Sequence, residues 1–216
     1  DQSIIITGND IIEYMKVVLK SIEQFRPDLS SRTRHITHGN VKLVGNEKMS
    51  SRKGNFLRAV DVIEMVADAN EAAQGNRNDE PVLGAIKYAF LKFRIGADSI
   101  FDPNESVSLQ GNSGPYLQYA LARAYSIIRK LSVDESAFAL SNGDFTQYER
   151  SLLVKLTEYP EVITQATIDL EPHQLCTYLY ELAQVFNRFY ENSKVVGDER
   201  EKIRAYLVMA YANILK

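Results

Sequence analysis

The strongest constraint on the fold is a succession of apolar stripes with helical spacing, which fills the chain from Pro115 to its last residue. Each stripe follows a helix-start signal: a proline at positions 115, 160 and 172, the capping-box sequence Thr146–Glu149, and the similar sequence Asp198–Glu201. The clearest stripe recurs every three or four residues, at Leu175, Tyr178, Leu182, Phe186 and Phe189. Helices at this density predict an α-helical bundle.

The N-terminal segment has a different character. Ser3–Thr7 is a continuous apolar, β-branched run typical of a buried strand in a parallel sheet, Gly8–Asp10 is a turn, and residues 11–25 have helical spacing. This is half of a βα unit, and a parallel strand needs neighbours. We therefore expect a fragment of a larger α/β protein that lacks its natural start. The apolar helical spacing continues up to Lys216, which suggests that the chain is truncated there as well.

The middle of the chain connects these two regions. Arg34–His38 and Val41–Val44 alternate around Gly39, which predicts a strand or a hairpin. Two further helical stripes follow, separated by a polar linker at 72–80, and residues 96–109 are expected to be irregular. The whole chain is thus predicted to be mainly α.

Composition excludes several classes of protein. The 216 residues contain 45% hydrophobic and 25% charged residues, as a globular protein does, and no apolar run approaches the ~20 residues of a membrane span. The single Cys176 cannot form an internal disulfide, and the start has no secretory signal. We expect a cytoplasmic protein without a membrane partner. His35 and His38 have no cluster of other ligands nearby in the sequence, so no metal site is expected.

Charge is unevenly distributed. Eight basic and two acidic residues lie between Arg26 and Arg58, so this segment carries +6 and the remainder, given the net charge of −3, carries −9. Within it, Glu47–Asn55 combines three cations with two serine hydroxyls before Gly54. Such a loop suits phosphate binding, although a solvated basic loop has the same composition. A local anionic ligand is favoured over general polyanion binding.

Several motifs resemble the arginyl-tRNA synthetases, a class I aminoacyl-tRNA synthetase family. The run Lys48–Arg52 (KMSSR) resembles the KMSKS signature of class I enzymes, and the continuation Lys53–Asn55 resembles its arginyl version. More specific is Gly111–Arg123 (GNSGPYLQYALAR), which is similar to the family segment G-N-[TS]-x-P-Y-L-Q-Y-A-x-A-R. Residues 181–190 resemble the anticodon-binding bundle of the same family, and Thr7–Asp10 resembles the strand end beside the nucleotide.

The resemblance implies roles for the signature loop in the activation of arginine by ATP. Lys48 would stabilise the pyrophosphate, Ser50 and Ser51 would bind loop backbone or phosphate, and Met49 would pack beside the adenine. Either Arg52 or Lys53 would take the role of the second signature lysine, and the sequence leaves this open. Cations on a closing loop stabilise charge that develops in the transition state. The ATP-binding residues implied are Gly8, Asp10, Lys48 and Met49, with magnesium only as the counter-ion of ATP.

The bundle carries the implied tRNA-binding residues, which are Tyr116, Gln118, Tyr119, Arg123, Asn187, Arg188 and Tyr190. Arg123 suits a phosphate, and the tyrosines can stack on unpaired bases. Helical spacing alone is equally typical of core residues, so Leu117, Ala120, Ala124 and Ile127 are predicted to be buried.

The expected organisation has three parts. Residues 1–58 are the end of a Rossmann-like class I catalytic domain with the KMSKS-like loop, 59–114 form a connecting region that contacts the tRNA stem, and 115–216 form the helical anticodon-binding (DALR-type) domain. The implied partners are tRNA-Arg, arginine and ATP, and a monomer is expected. No HIGH-type motif occurs, so these 216 residues are expected to be inactive alone. The alternatives are another class I synthetase, such as a cysteinyl one, and a non-catalytic tRNA-binding module.

Overall fold

The computed structural model describes residues 1–44, 58–131 and 145–216. The helices there are α1 Ile12–Phe25, α2 Pro27–Ser30, α3 Ala59–Gln74, α4 Asp79–Leu91, α5 Pro103–Ser106, α6 Gly114–Ile128, α7 Gln147–Thr157, α8 Tyr159–Asp169, α9 Pro172–Asn192 and α10 Glu201–Leu215. The strands are β1 Ser3–Gly8, β2 Thr33–His38, β3 Val41–Leu43 and β4 Ser99–Phe101. The prediction of a mainly helical protein is confirmed.

The predicted opening strand is present, but it is less buried than expected. β1 pairs in parallel with β2, in a register that runs from Ser3 opposite Thr33 to Gly8 opposite His38. Ile4 and Ile6 are nevertheless 43% and 66% exposed. Within the described residues this sheet has only two strands, so one of its faces remains uncovered.

β2 and β3 do not form the hairpin that the sequence allowed. β3 pairs in parallel with β4 instead, from Val41 opposite Ser99 to Leu43 opposite Phe101. The turn at Gly39 packs directly on the backbone of the connection before β4, because a Cβ at Gly39 would lie 2.1 Å from the Ala97 carbonyl oxygen. The segment 96–109, expected to be irregular, thus contains β4 and α5. A strand of three residues is too short for its periodicity to be recognised.

The Gly111–Arg123 motif begins as a structural junction. Ser113 Oγ accepts a hydrogen bond from the Tyr116 backbone at 3.2 Å and caps α6. Gly114 packs against α4 so closely that a Cβ there would lie 2.3 Å from the Gly84 carbonyl oxygen. The Tyr88 hydroxyl donates to Asn112 Oδ1 at 2.5 Å, so α4 also fixes the approach to α6. These contacts explain the two glycines of the α4–α6 crossing and the motif's first polar residues.

The C-terminal helices share one hydrophobic core, as the stripes predicted. Ala120, Ala124 and Ile127 are buried, while Leu117 is partly buried against the same core. The Phe186 and Tyr211 rings stack in its centre with centroids 3.8 Å apart. The other buried side chains of this core are Leu152, Leu156, Tyr178, Leu182, Ala183, Phe189, Val195, Leu207, Val208 and Ala212.

The capping box at Thr146 is confirmed, and its glutamate has a second role. Glu149 is fully buried and accepts from Arg200 Nε at 2.9 Å and from Arg204 Nε at 2.7 Å. Burial alone would raise the pKa of Glu149, but the two guanidinium groups and the Thr146 backbone amide lower it to about 2. This ion group ties the start of α7 to the start of α10.

Candidate nucleic-acid interface

Five of the predicted tRNA-binding residues lie together where α6 and α9 pack side by side. Tyr116, Tyr119 and Arg123 stand three and four residues apart on α6, and Asn187 and Tyr190 stand three apart on α9. This spacing places each set on one face of its helix. We call these five residues the tyrosine–arginine group.

Hydrogen bonds connect the members of the group. Asn187 Nδ2 donates to the Tyr116 hydroxyl at 2.8 Å, and Arg123 donates to Asn187 Oδ1 at 3.3 Å. Arg123 also donates to the Tyr119 hydroxyl at 3.3 Å. Burial raises the pKa of Tyr116 above its ordinary value, against the lowering effect of the Asn187 amide, so its hydroxyl stays neutral at physiological pH. The network holds Arg123 in one orientation.

The Arg123 guanidinium also contacts the faces of two aromatic rings. Its carbon lies 4.5 Å from the Tyr119 ring centroid and 5.7 Å from that of Tyr190. These distances are within the range of cation–π contacts. Both rings are exposed, at 44% for Tyr119 and 43% for Tyr190. The arrangement places two partly exposed aromatic rings next to one cation, a combination that is typical of surfaces that bind single-stranded nucleic acid.

A cleft of about 520 Å³ continues from this group toward the end of α6. Arg123 and Tyr190 form one end of it, Lys130 and Lys194 add two cations, and Glu191 contributes one carboxylate. Its remaining lining residues are Ser126, Ile127, Ser193, Val195 and Val196. The sequence prediction missed Lys130 and Lys194. Lys130 follows Arg123 by seven residues, a spacing that would have placed it on the same helix face.

The other two predicted tRNA-binding residues lie apart from the group. Gln118 is on the side of α6 that faces α4, where its amide donates to the Glu80 carbonyl oxygen at 3.2 Å. Arg188 is exposed on α9, about 100° around the helix from Asn187. The structure therefore assigns Gln118 to helix packing and leaves Arg188 at the border of the surface.

The predicted nucleotide residues Gly8 and Asp10 lie at the carboxyl end of the parallel pair β1–β2. A Cβ at Gly8 would lie 2.5 Å from Asp10 Oδ1 and 3.9 Å from His38 Cε1, so the three residues are neighbours. Between the same two strands, Thr7 Oγ1 and His35 Nε2 are hydrogen-bonded at 2.8 Å. Ligands of open α/β sheets bind at this edge.

The predicted catalytic residues of the signature loop, Lys48 to Lys53 with Met49, lie outside the described residues. Their attachment points are known: β3 ends at Leu43 and α3 begins at Ala59. Because β3 is parallel to β4, the loop starts at the carboxyl end of a parallel strand. No group of three or more metal-ligating side chains occurs in the part of the chain that the structure describes. No helix in that part is long and apolar enough to cross a membrane.

The family model described as "DALR anticodon binding domain" matches residues 117–216. This match identifies the C-terminal bundle as a DALR anticodon-binding domain.

The similar proteins carry the names of arginine–tRNA ligases and arginyl-tRNA synthetases. An arginine–tRNA ligase of Bacteroides fragilis is 28% identical over 235 residues, covering 100% of this chain and 39% of the relative. An arginine–tRNA ligase of Yersinia pseudotuberculosis is 39% identical over 181 residues, and this alignment covers 77% of the chain and 31% of the relative. The Thermus thermophilus arginyl-tRNA synthetase matches with a TM-score of 0.84 and 26% identity, covering 99% of this chain and 38% of that one. These alignments cover 39% and 31% of the two curated relatives, so the chain spans well under half of their length.

The chain belongs to the arginyl-tRNA synthetase family, as the Gly111–Arg123 motif predicted. The cysteinyl-type alternative is not favoured by these relatives. The predicted boundaries at 58 and 114 stay predictions, since the family model marks only 117–216.

Proposed function

We propose that the protein is an arginine–tRNA ligase, which forms arginyl-AMP from arginine and ATP and transfers arginine to tRNA-Arg. These 216 residues would supply the pyrophosphate-stabilising loop and the anticodon-binding surface. Because they span well under half of the length of these relatives, we expect them to be inactive alone. Detectable arginylation by the isolated chain would contradict this expectation. A cytoplasmic, monomeric enzyme is part of the proposal.

The observation that carries the proposal is the tyrosine–arginine group. Five residues selected from the sequence for RNA binding meet on one surface, and that surface carries two exposed rings beside a fixed guanidinium. Tyr119 and Tyr190 are more than 40% exposed, so part of each side chain is accessible to a ligand. We infer that the rings stack on unpaired bases and that Arg123, with Lys130 and Lys194 of the adjoining cleft, neutralises phosphates.

Activation would take place at the carboxyl edge of β1–β2. The absence of a side chain at Gly8 leaves room for the Asp10 carboxylate at the strand end, the edge at which ligands of open α/β sheets bind. Lys48, Ser50 and Ser51, with Arg52 or Lys53, would stabilise the charge that builds on the leaving pyrophosphate. Magnesium would accompany ATP and neutralise its phosphates. In the full-length enzyme, Lys48→Ala should lower ATP–pyrophosphate exchange, and an unchanged rate would contradict this role.

The RNA-binding surface is testable by filter binding of arginine-accepting tRNA to the full-length protein over a salt series. Arg123→Ala should weaken binding about tenfold and reduce the salt slope by about one. The matched control is Lys16→Ala, which removes an exposed cation on α1 that pairs with Glu13. Equal losses for both variants would mean that only overall charge matters. An unrelated tRNA distinguishes specific binding from backbone binding.

The non-catalytic alternative makes a different prediction for the same assays. A tRNA-binding module would show the effect of Arg123→Ala on binding, but the full-length protein would not charge tRNA-Arg with arginine. A charging assay with all amino acids therefore decides between the two functions.

A further inference from the structure

A side chain of the strand unit, residues 1–44, is hydrogen-bonded to the corner between α8 and α9 of the bundle. Arg34, in β2, donates from one guanidinium nitrogen to the Ile168 carbonyl oxygen at 3.0 Å and from the other to the Asp169 carbonyl oxygen at 2.6 Å. These are terminal carbonyls of α8, which have no partner within their own helix and carry the negative end of its dipole. A forked cation satisfies both carbonyls at once.

Backbone and side-chain hydrogen bonds connect the two helices at this corner. Leu170 has a positive φ of 61° and ends α8, and the Glu171 backbone amide donates to the Ala166 carbonyl oxygen at 3.0 Å. The Asp169 carboxylate accepts from Gln165 on α8 at 2.7 Å and from Gln174 on α9 at 3.2 Å. The corner thus joins the end of α8 to the start of α9, the helix that carries Asn187 and Tyr190.

Apolar packing does little to fix the strand unit here. The Ile168 side chain is 64% exposed, although it adjoins Arg34. Beside the link, a cleft of about 280 Å³ separates His38 and Gly39 from Pro172, and most of its lining belongs to residues 90–99. The two hydrogen bonds of Arg34 are therefore direct contacts from β2 to this corner, beside the Arg94–Glu171 ion pair at 4.0 Å.

The strand that carries Arg34 leads directly to the proposed activation site. β2 ends at His38, opposite Gly8, and continues through Gly39 into β3, which precedes the signature loop. We propose that Arg34 is a positioning residue: it fixes the orientation of the anticodon-binding bundle relative to the strand edge. An RNA bound on α6 and α9 is thereby presented to the active site at a set angle.

The geometry is testable apart from the enzymology. Spin labels on cysteines at the exposed Lys20 of α1 and Lys202 of α10 report the distance between the two parts of the full-length protein, once buried Cys176 and any cysteine outside these 216 residues are replaced by alanine. Arg34→Ala should broaden the distance distribution about twofold, because the forked contact is lost. Arg34→Lys should give an intermediate width. The control Arg32→Ala removes a neighbouring guanidinium that bonds Asp28 within the strand unit, and should match the parent.

The kinetic test rests on the proposed function. With active-site titration to correct for misfolded protein, Arg34→Ala should lower kcat for arginylation about tenfold while the Kd for tRNA stays within about twofold, because misplacement of bound reactants costs rate and not binding. If the Arg34→Ala variant does not fold, Arg34→Lys, which keeps the charge, becomes the test variant.

The outcomes separate the two proposals. A parent protein that never charges tRNA refutes the proposed function, while the distance measurement still tests the link. An unchanged distance distribution overturns the positioning role. A Kd that rises with no change in kcat overturns it as well, since Arg34 would then serve binding.

Discussion

The buried ion group around Glu149 allows the most quantitative prediction. The carboxylate is fully buried and accepts from Arg200, Arg204 and the Thr146 backbone. Its pKa falls from an ordinary 4.5 to about 2. A difference of this size corresponds to about 3 kcal/mol of folding free energy at neutral pH. Breaking a buried ion pair by removing one partner costs a similar 3–5 kcal/mol, roughly.

Glu149→Gln should therefore destabilise the protein by about 3 kcal/mol at pH 7, because two guanidinium groups lose their shared carboxylate. Urea unfolding followed by far-UV circular dichroism measures this difference. The control is Glu161→Gln, which neutralises an exposed carboxylate on α8 and should change stability by less than about 0.5 kcal/mol.

The pH dependence has a definite sign. A carboxylate with a lowered pKa in the folded state stabilises the protein fully above its ordinary pKa of 4.5, and the stabilisation is lost as pH falls toward about 2. The difference between parent and Glu149→Gln should thus be constant from pH 7 to about 5 and shrink below that. A difference under about 1 kcal/mol at pH 7, or one that grows on acidification, would refute the reasoning.

Three further substitutions test the interface and the packing. Tyr119→Ala should weaken tRNA binding about tenfold in the filter assay, whereas Tyr119→Phe should change it little, because stacking depends on the ring. Equal losses of binding in the two variants would contradict stacking. Gly114→Ala should lower the unfolding free energy by about 1–3 kcal/mol in urea, because its Cβ would lie 2.3 Å from the Gly84 carbonyl oxygen, and a neutral result would exclude the close crossing. Tyr211→Phe should raise the unfolding free energy by about 1 kcal/mol, because the Tyr211 hydroxyl is buried without a hydrogen-bond partner among the described residues. The substitution keeps the ring that stacks on Phe186. A destabilised variant would show that the hydroxyl has a partner.

The helical half was predictable because its signals are local. Pro115, the Thr146 capping box and Pro172 each fall in the first turn of a helix or at its cap, and the apolar spacing of α9 marks its buried face. α10 is a partial exception. It begins at Glu201, whereas the sequence suggested Asp198, because Asp198 bonds the Arg200 backbone in a turn before the helix.

Strand pairing was less accessible from the sequence. β3 and β4 have three residues each and pair across more than fifty positions, so no local pattern connects them. The exposure of Ile6 shows a second limit of prediction from sequence. The apolar composition of a strand indicates that it can be buried, but whether it is buried depends on what packs against it.

The sequence by itself determined the family, the helical bundle and the residue types of the proposed RNA-binding surface, because motifs and periodicity are properties of neighbouring positions. Only the tertiary structure decided which residues meet. It brought Tyr116, Tyr119 and Arg123 of α6 to Asn187 and Tyr190 of α9, and it turned Gln118 away to α4. It also joined Arg34 to Asp169 across the chain. Such contacts arise from helix packing and from the direction of each side chain around its axis, which chain order alone does not specify.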